Sequence, residues 1–453
     1  MLFSCTAPES GDTSSTANQF TGADSEVTLM TVDPGHFHAS LVQKYSYDQV
    51  DSVAYVYAPE GSDGLQRHLD RIQLYNTREE DPTNWVERVY TGPDFFEQMI
   101  EEQPGNVVVL AGNNARKTSY IKRSVDAGLN VLSDKPMVIE PDKFSMLKAA
   151  LIQAQDKGVL VYDIMTERFE ITTILQRMLS RNSDVFGTIV EGTPENPAIT
   201  KVSVHHFFKY VSGQPLTRPG WFFDVDQQGE AIVDVSTHLV DMILWETFPG
   251  EGIDTTEVQV VQADRWATEM TPDQFQKVTR MEPYPDYLEE DLDENNNLQV
   301  FANGAFVFEA RGIHGKVSVE WDYQAPEGAG DTHYSIMRGT RANLVIRQGE
   351  EENYTPTLYV EPVNGSGGEQ YETDLQIAID EIAGEYPGLT LTSTGKGWRI
   401  NIPDEHRVGH EAHFAQVTEQ YLQYLVDGEI PDWERINMLT KYYLTTQAYK
   451  KSR

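Results

Sequence analysis

Three features of the sequence predict an α/β fold: a doubly wound parallel sheet, then a second α/β domain with a large, open, mainly antiparallel sheet. Short apolar runs of strand type alternate with helical segments between residues 26 and 164. Longer alternating apolar–polar segments, suited to a sheet with one wet face, take over after residue 165. Two helical patterns, residues 409–426 and 433–449, close the chain. The expected division is a flexible tether over residues 1–24, a first domain over 25–164 and a second over 165–453. Within the second, residues 405–453 are expected to pack back across the molecule.

Each element has a local reason. Val27-Thr28-Leu29-Met30-Thr31-Val32 is apolar and β-branched, and stops at the turn Asp33-Pro34-Gly35, after which residues 37–45 read as a helix. Residues 52–57 form a second strand, broken by Ala58-Pro59-Glu60-Gly61, and residues 95–102 have helical spacing. Val107-Val108-Val109-Leu110 is a continuous apolar run, as in a strand buried on both faces. The helix over 117–127 ends at Gly128, a C-cap residue, and Asn130-Val131-Leu132 is the next strand. In the second half, residues 200–207, 299–312, 316–323 and 342–348 read as strands, with Asn303-Gly304 and His314-Gly315 as hairpin turns. Residues 289–297 read as a solvated acidic loop.

Composition removes several functions. With 453 residues, the chain carries 35 Lys+Arg against 71 Asp+Glu, a net charge of −36. A nucleic-acid binder needs a basic footprint, so phosphate-backbone binding is excluded, and anionic membrane surfaces are disfavoured for the same reason. The acid is spread along the chain, which suits either solubility in concentrated salt or an ordinary acidic enzyme. No run approaches the roughly 20 apolar residues that span a bilayer. Cys5 is the single cysteine, so neither an intrachain disulfide nor a thiolate metal cluster forms. Leu2-Phe3-Ser4-Cys5, ahead of a Ser/Thr/Gly/Asp-rich tract, resembles a bacterial lipid-attachment box. That reading gives a lipid anchor at Cys5 and an exported, periplasmic, membrane-anchored protein; the alternatives are a plain tail cysteine and a cytoplasmic protein.

Three motifs carry chemistry. The strand-turn-helix at Asp33-Pro34-Gly35-His36-Phe37-His38 has the layout of a dinucleotide-binding turn, yet only the middle of the three usual glycines, Gly35, is present. Ala111-Gly112-Asn113-Asn114 follows the next buried strand, and Ser133-Asp134-Lys135-Pro136 follows the one after. Asp234, His238 and Asp241 are spaced i, i+4 and i+7, placing an imidazole between two carboxylates on one helix face; the bland reading is a surface Asp–His pair. In Val204-His205-His206-Phe207-Phe208-Lys209, strand alternation sends one histidine inward, and Trp221 is of the type that stacks on a sugar ring. His406, His410 and His413 lack both the zinc-protease order and a third definite ligand, so no metal is assigned to them.

Taken together, these motifs resemble the glucose–fructose oxidoreductase/inositol dehydrogenase (Gfo/Idh/MocA) family: Asn113, then Asp134-Lys135-Pro136, then the Asp234-to-Asp241 helix. Met165-Thr166-Glu167-Arg168-Phe169 adds to the likeness. The resemblance implies a Rossmann domain and a substrate domain with its own C-terminal region, as in a lipoprotein-like subgroup. It implies an NAD(P)-dependent oxidoreductase acting on a secondary hydroxyl of a sugar, glycoside or cyclic polyol. Lys135 would bond the reacting hydroxyl, His238 would take its proton, and Asp234 would orient the substrate. The cofactor set is Asp33, Gly35, His36, Phe37, His38, Glu60, Gly112, Asn113, Asn114, Asp134, Lys135 and Pro136. Arg168, His206, Lys209, Trp221 and Asp241 are the substrate candidates. NAD is expected, tightly held, with NADP as the alternative, because no basic residue follows the second strand before Arg67. The expected partners are a small carbohydrate and further copies of the chain in a homo-oligomer. Two rival functions share these residues. One is an NAD-dependent glycosidase working by transient oxidation and elimination, with Tyr120 or His206 as an added base. The other is a non-catalytic sugar or nucleotide sensor.

Overall fold

The computed structural model describes residues 20–211, 214–326 and 329–453; Cys5 and the tract read as its tether lie outside them up to residue 19. The described residues include packing ahead of the expected boundary at 25. Phe20 is buried against Val27 and Leu29, and the Thr21 N–H donates to Glu26 Oε1 at 2.5 Å.

The first sheet is parallel and six-stranded: β1 (Leu29–Val32), β2 (Val53–Ala58), β3 (Val86–Thr91), β4 (Val107–Leu110), β5 (Asn130–Asp134) and β6 (Val161–Ile164). Its order, β3-β2-β1-β4-β5-β6, reverses between β1 and β4. Ligands of such sheets bind outside the strand ends at that reversal, and here the turns bearing Gly35 and Gly112 emerge side by side. All four residues of β1 and of β4 are buried, as expected of strands covered on both faces. The helix expected over 37–45 is a single turn, His38–Leu41. Beyond it the bonds run three residues back, Gln43 N–H to Ser40 O and Lys44 N–H to Leu41 O, so the chain continues as tight turns.

The second domain is built on nine strands: β7 (Ile199–Phe208), then, after the small hairpin of β8 (Tyr210–Val211) and β9 (Gln214–Pro215), β10 (Val258–Met270), β11 (Leu298–Ala310), β12 (Ile313–Gln324), β13 (Thr332–Arg338), β14 (Ala342–Arg347), β15 (Thr357–Pro362), β16 (Thr390–Ser393) and β17 (Trp398–Asn401). The order is β10-β11-β12-β7-β13-β14-β15-β17-β16, antiparallel throughout except for the β12–β7 pair. The expected hairpin turns fall elsewhere. Asn303-Gly304 and His314-Gly315 lie inside β11 and β12, and the turn is Arg311-Gly312, with φ of 47° and 83°. Two positive φ values are what a two-residue type I′ turn requires. Asn303 serves the ladder instead: its Nδ2 donates to Thr268 Oγ1 at 2.7 Å and its Oδ1 accepts from Trp321 N–H at 2.7 Å, at a register shift where β11 carries one residue more than β10.

The C-terminal helices do pack back. In His410–Asp427, Phe414, Val417, Tyr421 and Leu425 join Val27, Leu29 and Val107 in one core cluster of the first domain. Asp432–Ser452 serves both domains: Met438 and Tyr442 enter the first core, Leu444 and Ala448 the second. None of the described helices is long and apolar enough to cross a membrane.

Candidate active site

A cavity of about 600 Å3 lies where the ends of the parallel strands meet the inner face of the second sheet and the start of the His410–Asp427 helix. Lys135, at the end of β5, donates through Nζ to Asp234 Oδ1 at 2.6 Å, and Gln228 Nε2 donates to the other oxygen at 2.8 Å. Burial disfavours the Lys135 charge, but the Asp234 and Asp134 carboxylates outweigh it and hold the ammonium above its ordinary value. His238 shares this wall. Burial and then the Lys135 charge bring its imidazole down to about 4, with Glu167 pulling the other way. It is therefore neutral at neutral pH, and its Nδ1 has no hydrogen-bond partner among the described residues.

The spacing argument for Asp234, His238 and Asp241 holds only in part. The helix begins at Ser236, so Asp234 sits in the turns ahead of it, near Lys135. Asp241 points elsewhere. Arg168 Nε and Nη2 donate to its two oxygens at 2.6 and 2.7 Å, Arg168 Nη1 donates to Glu434 Oε2 at 2.7 Å, and Lys441 Nζ donates to Asp241 Oδ1 at 2.7 Å. Lys441 also pairs with Asp163 at 2.8 Å, to which Tyr442 donates. Burial opposes the Arg168 charge, yet Asp241 and Glu434 hold it well above its ordinary value. Arg168 and Asp241, expected to bind substrate, are instead the buried clamp that fixes the last helix.

The substrate candidates on β7 also separate. His205 lines the cavity, whereas His206 is buried outside it, its backbone carbonyl accepting from Arg218 Nη2 at 3.0 Å. Alternation selects one of the pair, and the neighbouring Phe207 and Phe208 do not reveal which. His205 Nδ1 faces Asp331 Oδ2 at 3.1 Å, its Nε2 meets Ser203 Oγ at 2.7 Å, and the same oxygen meets His333 Nδ1 at 3.1 Å. Lys209 lines the cavity and pairs with Asp331. Trp221 does not line the cavity; it lies over the first turn, where a Cβ on Gly35 would sit 3.1 Å from its Cζ2.

The turn itself is tight. A Cβ on Gly112 would sit 2.2 Å from the Asp33 carbonyl oxygen and 3.0 Å from Gly35 N, so both turns need glycine to approach each other. The single-turn helix after β1 supplies little dipole, but Arg67, Arg71 and Arg218 line a small pocket with Pro34, Gly35 and Gly64. Phe37 lines both pockets; Glu60 is exposed two residues beyond β2. The side chains of Asn113 and Asn114 are spent within the protein. Asn113 Oδ1 caps the helix Asn114–Asp126 and its Nδ2 donates to Gln227 Oε1, while Asn114 Nδ2 donates to the Gln228 carbonyl. They tie the two domains together, and any cofactor contact there falls to the backbone.

Several cavity residues were not singled out by the sequence. Glu167 stands among His238, His333, His410 and His413, which bring its carboxyl down to about 2 against the effect of burial. Arg407, His410 and His413 enter from the C-terminal segment. His406 stays apart, its Nε2 on the Pro387 carbonyl at 2.8 Å. Glu167 had a signal in its neighbour Arg168 of a recognised segment, and His410 and His413 had one in their spacing at a helix start.

The family model described as Putative oxidoreductase C terminal domain matches residues 175–453. The chain belongs to that family. It is 53% identical to a putative oxidoreductase from Parabacteroides merdae of known crystal structure, with a TM-score of 0.94 over 96% of this chain and 99% of that one. More distant solved structures share the fold. A levoglucosan dehydrogenase in complex with NADH gives a TM-score of 0.59 at 13% identity, covering 94% of this chain and 96% of that one. A 3-ketoreductase from Actinomadura kijaniata, in complex with TDP-benzene and NADP, gives 0.54 at 12% identity, covering 94% and 98%. No curated protein matches the chain.

Proposed function

We propose that this oxidoreductase uses NAD(P) to interconvert a secondary hydroxyl and a ketone on a sugar, glycoside or cyclic polyol. The observation that carries the reading is the meeting of the Lys135–Asp234 pair and the neutral His238 in one cavity at the mouth of the glycine turns. The residues at the strand ends suit a dinucleotide. Gly35 and Gly112 let the turns after β1 and β4 approach each other at the reversal of the sheet, and Arg67, Arg71 and Arg218 offer charge for phosphates. When bound, the nicotinamide supplies the hydride acceptor or donor; the protein supplies the rest. Lys135, kept cationic by Asp234, donates a hydrogen bond to the reacting oxygen and stabilises negative charge developing there. His238 accepts the hydroxyl proton, and Asp234 holds Lys135 in place. Solved structures of the same fold, a levoglucosan dehydrogenase with NADH and levoglucosan and a 3-ketoreductase with NADP, support the cofactor and substrate classes.

A second reading keeps this chemistry and adds elimination, giving net glycosidic cleavage. The observation favouring it is the surplus of bases facing the cavity: Glu167, His205, His333 and His410. The bases expected from the sequence do not serve it, since Tyr120 stacks on Phe96 in the first domain and His206 is buried outside the cavity. Incubation with NAD+ or NADP+ and a panel of sugars and glycosides tests both readings. Net NAD(P)H release supports simple oxidation, and cleavage without it supports elimination. Lys135→Ala and His238→Ala are each expected to lower either activity by about 10² to 10⁴; full activity in His238→Ala refutes the assignment.

A further inference from the structure

At the head of the cavity, the turn after β1 and the end of β5 bring together three ligand-type atoms that the proposed reaction does not use. One ring nitrogen of His36, one ring nitrogen of His38 and one carboxylate oxygen of Asp134 all lie within 4.8 Å of one another. That single oxygen, Oδ2, is 2.9 Å from His38 Nδ1 and 3.8 Å from His36 Nδ1. An ordinary Asp–His hydrogen bond accounts for His38 and leaves His36 unexplained. The His36 Nδ1 accepts a 3.4 Å contact from the His38 backbone N–H. A ring nitrogen that accepts is the unprotonated one, so His36 Nδ1 carries the lone pair that a metal ligand needs. The main chain beneath the carboxylate is pinned: buried Lys117 donates to the Asp134 backbone carbonyl at 2.9 Å and to Asn114 Oδ1 at 2.7 Å. Both imidazoles line the cavity, while Asp134 is 4% exposed and lies beneath them. His410, on the opposite wall, brings its ring centroid to 5.1 Å from that of His38.

We propose that His36, His38 and Asp134 form a divalent transition-metal site open to the active cavity, with His410 placed to add a further ligand. Two imidazole nitrogens and one carboxylate oxygen suit zinc, iron(II) or a similar ion rather than magnesium or calcium, which take oxygen ligands. Lys117 fixes the main chain that carries the Asp134 carboxylate. The protein grips the ion from the strand side, so the remaining coordination positions face an oxygen ligand in the cavity. The His-x-His spacing produces this arrangement because His38 replaces the glycine that would otherwise let the helix pack closely on the strand.

The test uses the full chain, treated with chelator and kept free of nucleotide, so that its outcome is independent of the proposed hydride chemistry. Isothermal titration with Zn2+ is expected to show one ion per chain and a rise in Tm on loading. His36→Ala/His38→Ala is expected to weaken binding by at least about tenfold. His406→Ala, whose ring is occupied by the Pro387 carbonyl, is expected to bind as wild type does. Should the paired variant fail to fold, His36→Ala alone, at a half-buried position, provides the same comparison. Absence of stoichiometric uptake by the wild type, or uptake undiminished in His36→Ala, overturns the site.

Discussion

Two ends of one short segment meet opposite fates. Asp234 and His238 face the cavity, where a lysine and a glutamine hold the carboxylate and the imidazole is left without a partner on Nδ1. Asp241, less than one turn beyond His238, is closed in by Arg168 and Lys441 and tied to the last helix. All three side chains belong to one sequence pattern, yet the first two are poised for chemistry and the third is structural. The difference lies in what packs against them. Around Asp234 the neighbours leave a void, whereas around Asp241 a helix some 200 residues later in the chain fills the space with matching charge. A spacing rule fixes which residues share a face, but not whether that face meets solvent or protein.

The largest expected effect separates these two ends. Asp234→Asn removes the charge that keeps Lys135 protonated and placed; activity should fall about 10² to 10⁴ while Tm changes little. Asp241→Asn should do the reverse. Leaving Arg168 and Lys441 buried without their shared partner is expected to cost about 3 to 5 kcal/mol, read by urea unfolding. A large loss of stability in Asp234→Asn, or none in Asp241→Asn, would remove the distinction.

Acid sharpens the same contrast. Burial holds His68 at about 4 against an ordinary value of 6.5, and neither ring nitrogen has a partner among the described residues. Between those values the unfolded chain binds the proton and the folded chain does not, so the contribution is complete above 6.5 and is lost as pH falls towards 4. Two to three pKa units correspond to about 3 kcal/mol. His68→Leu should flatten this dependence in a pH series of unfolding curves. His238, also lowered to about 4, adds to it in the same direction. The smallest effect is expected on β7: His205→Gln should raise KM several-fold, whereas His206→Gln should leave KM unchanged and lower Tm.

The strands of the parallel sheet were legible where, as in β1, β4 and β5, they are short and buried on both faces. The edge strand β3 and the helix Asp63–Thr77 carry mostly polar residues and gave no comparable signal. Asn303-Gly304 was misleading because the asparagine satisfies a bulge, a demand set by the neighbouring strand. In the site, Lys135, Asp234 and His238 could be found because they follow recognisable motifs. The histidines of the C-terminal helix were noticed by their spacing, but their partners were not legible, since only the packing of that helix over β1 brings His410 to His38. Arg67 was weighed only by its distance in sequence from β2, and Arg71 was not considered; about one helical turn apart, both reach the small pocket at Gly35.

The central claim is that a nicotinamide cofactor seats on the turns at Gly35 and Gly112, and Trp221, lying over Gly35, provides a reporter. The direct measurement is a titration of nucleotide-free protein with NADH and, separately, NADPH, following energy transfer from tryptophan to the reduced nicotinamide in wild type and Trp221→Phe. Saturable transfer with at least one of the two, diminished in Trp221→Phe, is the predicted result. Binding of neither would contradict the account.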